Sequence, residues 1–130
     1  MLSHVHIGTT DFERALAFYA SVMAELGFTL KFCEPDKPWA GWMKPGVDRP
    51  LFLIGRPYNG EPASSGNGQM VALLAPNRHA VDRSYAAAIA GGAQGEGAPG
   101  LRPHYHPHYY GAYFRDLDGN KICVCCHAAE

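Results

Sequence analysis

The first candidate site residues of this 130-residue chain are two histidines that alternate with apolar residues. His4 and His6 are one residue apart, so in an extended strand both imidazoles lie on the same face. Imidazole titrates near neutral pH and serves both as a general base and as a metal ligand. We therefore expect His4 and His6 in a ligand site, with His4 the one good candidate for a metal ligand. The alternative is a pair of partly exposed strand histidines bonded to water or backbone.

A second group of histidines alternates at His104, His106 and His108. Alternate residues of an extended segment lie about 6.5–7 Å apart, and no carboxylate is near in sequence. The flanking prolines, Pro103 and Pro107, hold the chain rigid rather than bend it around an ion. The pattern therefore indicates a stiff aromatic loop over the mouth of a ligand site rather than a metal centre.

The cysteines near the C-terminus form a third group, Cys123, Cys125 and Cys126, followed by His127. Cysteines at i and i+2 of a strand are too far apart for the Cβ separation of about 3.8 Å in a disulfide. A zinc site needs a second pair of ligands, which the sequence lacks. We interpret these cysteines as buried apolar residues. The alternative for Cys123 is a reactive thiol facing the ligand, which requires a depressed pKa.

The composition predicts one globular domain, residues 1–130, with 47% hydrophobic and 18% charged residues. Eleven basic residues against twelve acidic ones leave no surplus of positive charge for binding nucleic acid. No apolar run reaches the roughly 18 residues of a membrane-spanning helix. We expect a cytoplasmic protein with reduced cysteines that binds neither nucleic acid nor membrane.

The periodicity of apolar residues predicts the same order of elements twice, strand, helix and three strands. Thr10 or Asp11 is expected to cap the first helix, Gly27 to end it, and Asn77 to cap the second. The predicted strands cover 3–9, 28–32, 39–43 and 51–55 in the first half, and 69–75, 93–97, 110–116 and 121–127 in the second. Residues 98–110 are expected to form an irregular loop.

The two halves align with each other, which indicates an internal repeat. A shift of 66 positions places Met70 on His4, and a shift of 70 places Cys123 on Leu53. The predicted modules are residues 1–57 and 69–130, joined by a linker at 58–68. Strand parity places Val5, Ile7, Val71, Leu73, Ile122 and Val124 toward the helices, and His4, His6, Met70, Ala72, Cys123 and Cys125 on the opposite, concave face.

The segment HVHIGTTDFERALAFYASVMAELGF and the RDLDGN turn between the last two strands resemble the vicinal oxygen chelate superfamily. That group contains glyoxalase I, extradiol dioxygenases, fosfomycin-resistance transferases and bleomycin-binding proteins. The resemblance covers nearly the whole chain. It implies an α+β fold of two βαβββ modules forming a cup-shaped mixed sheet with the helices outside. It further implies a small-molecule ligand in the cup and a homodimer.

The resemblance also implies metal-ligand positions on the first and last strands of each module. These positions are His4, Leu53, Met70 and Cys123. A leucine cannot coordinate a metal, and thioether or thiolate sulfur suits softer ions than Mg, Mn or Fe. We therefore expect no tight divalent site of the superfamily's type, and the cofactor stays undetermined.

Two functions fit these observations. The first is a glyoxalase-like protein with chemistry of its own, a diverged lyase, isomerase or dioxygenase-type enzyme with an incomplete metal site. The alternative is a non-catalytic protein that binds and sequesters a small molecule, as bleomycin-binding relatives do. The expected catalytic residues are His4, His6 and Tyr113, and the expected ligand contacts are Trp39, Met70, Ala72, His104, His106, Tyr109 and Cys123.

Overall fold

The computed structural model describes all 130 residues and contains the same element order in each half of the chain. The first half consists of β1 (His4–Gly8), α1 (Phe12–Leu26), β2 (Thr29–Glu34), β3 (Trp39–Met43) and β4 (Leu51–Gly55). The second consists of β5 (Val71–Leu74), α2 (Arg78–Ala90), β6 (Gln94–Leu101), β7 (Tyr110–Arg115) and β8 (Lys121–Cys126). The α+β class with two βαβββ modules is confirmed. Neither helix is long and apolar enough to cross a membrane.

The eight strands form two four-stranded mixed sheets rather than one continuous sheet. The first sheet has the order β1-β4-β3-β2 and the second the order β5-β8-β7-β6, with the first and last strand of each module parallel. His6 pairs with Leu53 in the first sheet, and Ala72 pairs with Cys123 in the second. The two pairs are equivalent in the internal repeat, because the shift of 66 residues places Ala72 on His6 and the shift of 70 places Cys123 on Leu53.

Short polar side chains and glycines set the ends of the helices. The carboxylate of Asp11 accepts a hydrogen bond from the backbone N–H of Arg14 at 3.2 Å, so Asp11 rather than Thr10 caps α1. Gly27 ends α1 in the left-handed conformation with φ of 76°, which favours glycine. Asn77 caps α2 by accepting from the N–H of Ala80 at 2.8 Å.

Each sheet buries one face beneath its helix. Ile7, Leu73, Ile122 and Val124 belong to a single core of 22 buried residues that includes both helices. The strand parity predicted for these residues is confirmed. We call the opposite face of each sheet, to which His6 and Cys123 belong, its outward face. A shift of one residue in strand register would have exchanged the two faces.

The two modules share this core. Helices α1 and α2 pack against each other, and each also packs against its own sheet. The ring of Phe18 on α1 meets that of Phe114 on β7 edge-on, with centroids 6.1 Å apart. The modules are therefore held together by apolar contacts between the helix of one and the sheet of the other.

The DLDGN turn between β7 and β8 adds a polar connection between the modules. Asp116 is buried and accepts hydrogen bonds from the hydroxyl of Tyr19 at 2.6 Å and from the side chain and backbone N–H of Asn120. The amide of Asn120 also donates to the carbonyl of Gly8 at 3.0 Å. A donor and an acceptor of the first module, the Tyr19 hydroxyl and the Gly8 carbonyl, are thus satisfied by a turn of the second.

The structure corrects the sequence prediction at one strand. β6 continues past the expected 93–97 through Pro99 to Leu101, and the irregular loop is shortened to residues 102–109. β6 is the outer strand of its sheet, where the missing N–H of a proline does not interrupt the ladder. The prolines of this segment do not end the strand because its free edge tolerates them.

Candidate functional site

The two histidines of β1 lie on the outward face of the first sheet, and both are exposed. The Nδ1 atom of His4 is 2.9 Å from the hydroxyl of Ser3. His6 lies against Gly55, where an added Cβ would come 2.9 Å from its Nε2 atom. Desolvation of the ring and the nearby charge of His4 lower the pKa of His6. The lowered pKa favours the neutral form of the His6 imidazole.

Trp39 stands beside these histidines. The same added Cβ at Gly55 would come 3.0 Å from the Cβ of Trp39, so Trp39 and His6 flank this glycine. The indole N–H of Trp39 donates to Glu34 at 2.9 Å, and its ring meets Phe32 edge-on at 4.7 Å. The first sheet thus holds His4, His6 and Trp39 as one group with an aromatic wall.

On the second sheet, three predicted residues form a row across neighbouring strands. Cys123 of β8 is paired with Ala72 of β5 on one side and with Tyr113 of β7 on the other. Ala72 is exposed, whereas Cys123 is fully buried. The sheet face is therefore open above Ala72, whereas the neighbouring sulfur of Cys123 is covered.

Tyr109 is the side chain that covers this sulfur. Its hydroxyl lies 3.5 Å from the sulfur of Cys123 and 3.0 Å from the hydroxyl of Tyr113. Its ring lies over Gly111, where an added Cβ would come 2.8 Å from Cε1 of Tyr109. The absence of a side chain at Gly111 is what allows the tyrosine to fold back onto the sheet.

The thiols of Cys123 and Cys125 have different proton affinities. Hydrogen bonding from Cys125, and then from Tyr109 and Tyr113, lowers the pKa of Cys123 to about 7 against the opposing effect of burial. The hydrogen bond to Cys123, together with burial, raises the pKa of Cys125. Burial raises the pKa values of both Tyr109 and Tyr113, so both tyrosines hold their protons. Of these groups, Cys123 is the one that ionises near neutral pH.

His106 and His127 extend this group toward the surface. The Nε2 atom of His106 lies 2.8 Å from Nδ1 of His127, and Nε2 of His127 lies 3.7 Å from the sulfur of Cys125. His127 was not among the residues predicted for the site. Its spacing from Cys123 and Cys125 was the available signal, because alternate residues of one strand share a face.

The remaining predicted contacts lie outside these two groups. His104 stacks beside Tyr105, with ring centroids 4.3 Å apart, and makes no hydrogen bond to another side chain. Met70 precedes β5 and is 45% exposed. Arg102, which the sequence analysis did not single out, lies with its guanidinium 5.6 Å from the ring centroid of Tyr113.

The predicted site residues are therefore divided between the two sheets. His4, His6 and Trp39 form one group, and Ala72, His106, Tyr109, Tyr113 and Cys123 form the other. No hydrogen bond or ring contact joins a member of the first group to a member of the second. The outward face of each sheet thus holds one of the two groups, which we call half-sites.

A cavity of about 650 Å³ lies elsewhere, between the linker and the second sheet. Its charged groups are mostly paired: Arg115 bonds Glu96 at 3.0 Å, and Asp116 bonds Tyr19. None of the predicted site residues lines it. The cavity is bordered by Arg14, Ser65, Gly66, Asn67, Gly92, Gln94, Glu96, Arg115, Asp116, Leu117 and Gly119.

The residues at the superfamily's metal-ligand positions do not fit its divalent metal. His4 supplies one nitrogen, but Leu53 is aliphatic, Met70 is a thioether, and Cys123 lies on the other sheet. No group of three or more His, Cys, Asp or Glu side chains is placed to hold a metal ion. The donors needed for three- or four-fold coordination are not assembled.

We expect protein purified without chelators to contain far less than one equivalent of Zn, Ni, Fe or Mn per chain. The physical reason is the donor set, in which one imidazole has no oxygen or nitrogen partner of the required kind. Inductively coupled plasma mass spectrometry measures the metal content. A stoichiometric metal that disappears in His4→Ala would contradict the expectation.

Known proteins match this chain both in sequence and in fold. A sequence model of the Glyoxalase/Bleomycin resistance protein/Dioxygenase superfamily matches residues 1–124. A crystal structure of a glyoxalase/bleomycin resistance protein from Albidiferax ferrireducens T118 is 35% identical, with a TM-score of 0.86 over 98% of this chain and 99% of that one. No curated protein sequence matches the chain significantly.

More distant structures share the fold. A glyoxalase/bleomycin resistance protein/dioxygenase family enzyme from Burkholderia phytofirmans PsJN is 21% identical, with a TM-score of 0.69 over 97% of this chain and 98% of that one. TnmS3, an antibiotic binding protein from Streptomyces sp. CB03234, is 22% identical, with a TM-score of 0.65 over 98% of this chain and 96% of that one. At these identities the likeness shows the architecture alone.

Proposed function

Because the chain belongs to the glyoxalase/bleomycin resistance protein/dioxygenase superfamily, we propose that it binds a flat organic small molecule on its outward sheet faces. The observation that supports this most is the aromatic group around Cys123. Tyr105 and Tyr109 lie with ring centroids 4.9 Å apart, and the hydroxyls of Tyr109 and Tyr113 are hydrogen-bonded. Aromatic walls with a few polar groups are typical of sites for organic ligands.

We propose that the protein binds this molecule without metal-dependent catalysis. The Lewis-acid step of the superfamily needs a divalent ion, and the residues at its ligand positions do not fit one. The antibiotic-binding function of the structural neighbour TnmS3 is consistent with a member that binds a compound without a metal. We propose the same class of activity here, sequestration of an aromatic compound in the cytoplasm, where four free thiols suit a reducing environment.

We further propose that the binding unit is a homodimer. β1 and β5 are outer strands of their sheets, and open edges of this kind favour pairing with another chain. Leu74 on β5 is 61% exposed, an apolar side chain that a second copy would cover. A dimer also allows the half-site of one protomer to face the half-site of its partner, as two-fold symmetry permits.

Filling the space over Ala72 is the sharpest test of this proposal. Ala72→Trp places an indole beside Cys123, and we expect the affinity for the aromatic probe 8-anilinonaphthalene-1-sulfonate to fall about tenfold or more, a loss of about 1.4 kcal/mol. Fluorescence titration of the probe measures the affinity. Light scattering on the same samples is expected to give a mass near twice 14.1 kDa.

The matched control is Ala86→Trp, the same substitution on the exposed side of α2. This variant should keep the affinity of the unmodified protein. Equal affinities for the two variants, or the absence of probe binding by the unmodified protein, would argue against the proposed site. A monomer at all micromolar concentrations would argue against the dimer.

A second candidate function rests on the position of His6, an exposed histidine that flanks Gly55 opposite Trp39 and whose pKa is lowered by desolvation. A neutral imidazole on an exposed face can remove a proton from a bound substrate. His4, His6 and Tyr113 would then take part in a metal-independent isomerase or lyase reaction. Loss of turnover in His6→Gln with retained probe binding would identify this activity.

A further inference from the structure

The outward face of the second sheet contains a chain of hydrogen bonds whose direction is fixed by one backbone amide. The N–H of His108 donates to Nδ1 of His106 at 3.1 Å, so this Nδ1 atom has no proton. A neutral imidazole has one proton, which is then on Nε2 of His106. That atom lies 2.8 Å from Nδ1 of His127 and must donate the hydrogen bond between them.

The same argument continues to the thiols. Because Nδ1 of His127 accepts, neutral His127 has its proton on Nε2, 3.7 Å from the sulfur of Cys125. Cys125 therefore accepts a hydrogen bond from His127, and it lies two residues from Cys123 on the same face of β8. This chain of hydrogen bonds thus runs from the loop to the face of β8 on which Cys123 lies.

Two tyrosine hydroxyls and one arginine lie near the sulfur of Cys123. The hydroxyl of Tyr109 is 3.5 Å away and is itself 3.0 Å from the hydroxyl of Tyr113. The guanidinium of Arg102 lies over the ring of Tyr113, 5.6 Å from its centroid. A hydroxyl able to donate to Cys123 and a positive charge on the neighbouring Tyr113 ring would both stabilise a thiolate at this position.

Resting on the proposed function, we propose that Cys123 is a nucleophile that captures its ligand covalently, and that the ligand is a flat conjugated carbonyl compound. The thiolate sulfur adds to the β-carbon of the activated alkene, and a C–S bond forms. The π electron pair of the alkene moves to the carbonyl oxygen, giving an enolate. A tyrosine hydroxyl protonates the enolate and recovers its proton from solvent. The addition needs no oxidant and releases no leaving group.

The surroundings of Cys123 match this class of ligand. The rings of Tyr105 and Tyr109 offer flat faces to a conjugated molecule, and the Tyr109 and Tyr113 hydroxyls lie where a carbonyl oxygen would need a donor. Cys123 is fully buried beneath Tyr109. The ligand therefore enters by displacing the Tyr109 ring from Gly111.

N-ethylmaleimide, a small conjugated carbonyl compound, tests the proposal on the full-length protein. Cys33 serves as an internal standard because it is more exposed than Cys123. We expect Cys123 to be alkylated before Cys33 at pH 7, with a rate that rises with pH and is half-maximal near pH 7. Mass spectrometry of the peptide that follows Lys121 locates the adduct among Cys123, Cys125 and Cys126.

Substitution of a donor gives a second readout. Tyr109→Phe removes a hydrogen bond to the thiolate, which is expected to raise the pKa of Cys123 by about one and to lower the rate at pH 7 about fivefold. Tyr58→Phe, which changes an exposed hydroxyl outside the site, should leave the rate unchanged. A pH profile that does not move in Tyr109→Phe would contradict the proposed role of the donors.

Alkylation of Cys33 first, with Cys123 unmodified in the folded protein, would overturn the proposal. Cys123→Ser should abolish the adduct and still bind 8-anilinonaphthalene-1-sulfonate, and Cys123→Ala replaces it if circular dichroism shows that the serine variant is unfolded. An adduct at Cys123 without reversible probe binding by the unmodified protein would instead contradict the proposed function and leave the nucleophile established.

Discussion

Replacing Asp116 by alanine is expected to lower the free energy of unfolding by about 3–5 kcal/mol. The carboxylate is buried and accepts hydrogen bonds from Tyr19, from the backbone N–H of Asp118, and from Asn120. Its removal leaves these donors without acceptors inside the protein. Urea denaturation followed by circular dichroism measures the loss by linear extrapolation.

Tyr19→Phe is the control for this prediction. It removes a single donor, keeps the buried ring and the carboxylate, and is expected to cost about 1–2 kcal/mol. The difference between the two variants measures the turn itself, which Asn120 connects to Gly8 of the other module. A loss below about 1 kcal/mol in Asp116→Ala would show that the turn does not hold the modules together.

Phe114→Ala is expected to have a similarly large effect, about 3–5 kcal/mol. Phe114 is fully buried on β7 and meets Phe18 of the first module edge-on. Its truncation leaves a cavity at the junction of the two modules. Tyr105→Ala removes an aromatic ring that is 61% exposed, and this control should change stability by no more than about 0.5 kcal/mol.

The same variant tests whether the modules unfold together. Both tryptophans, Trp39 and Trp42, belong to the first module, whereas Phe114 belongs to the second. Tryptophan fluorescence and circular dichroism should therefore report one coincident transition, since both modules share a single core. A fluorescence transition that stays at the position of the unmodified protein while the circular dichroism transition shifts would contradict a shared core.

The order of the elements and the faces of the strands could be predicted from the sequence. Alternation of apolar residues has a period of two in strands, and Val5, Ile7, Ile122 and Val124 accordingly lie toward the core. The helix ends followed from Asn77 and Gly27, residue types that cap helices for local reasons. These features depend on neighbours in sequence, which is why a single sequence sufficed.

The length of β6 and the arrangement of the site could not be predicted in this way. Whether Pro99 ends a strand depends on which edge of the sheet that strand occupies. The contact between His106 and His127 joins a loop to the end of β8, and no local pattern specifies it. The division of the predicted site between two sheets likewise depends on how the modules pack.

Cys123 is the residue at which the sequence and the structure point to different chemistry. The resemblance marked it as a metal-ligand position occupied by an unusual residue, and the structure surrounds it with hydrogen-bond donors. In our proposal this position serves nucleophilic reactivity instead of metal coordination.

The polar and apolar connections between the modules make the linker dispensable for their recognition. Tyr58, Asn59 and Gly60 are exposed, and the core and the Asp116 turn that join the modules lie elsewhere. If the chain were divided at the linker, the two polypeptides would associate through a complementary, largely preformed surface. We therefore expect that a domain of this kind can be assembled from separately encoded halves.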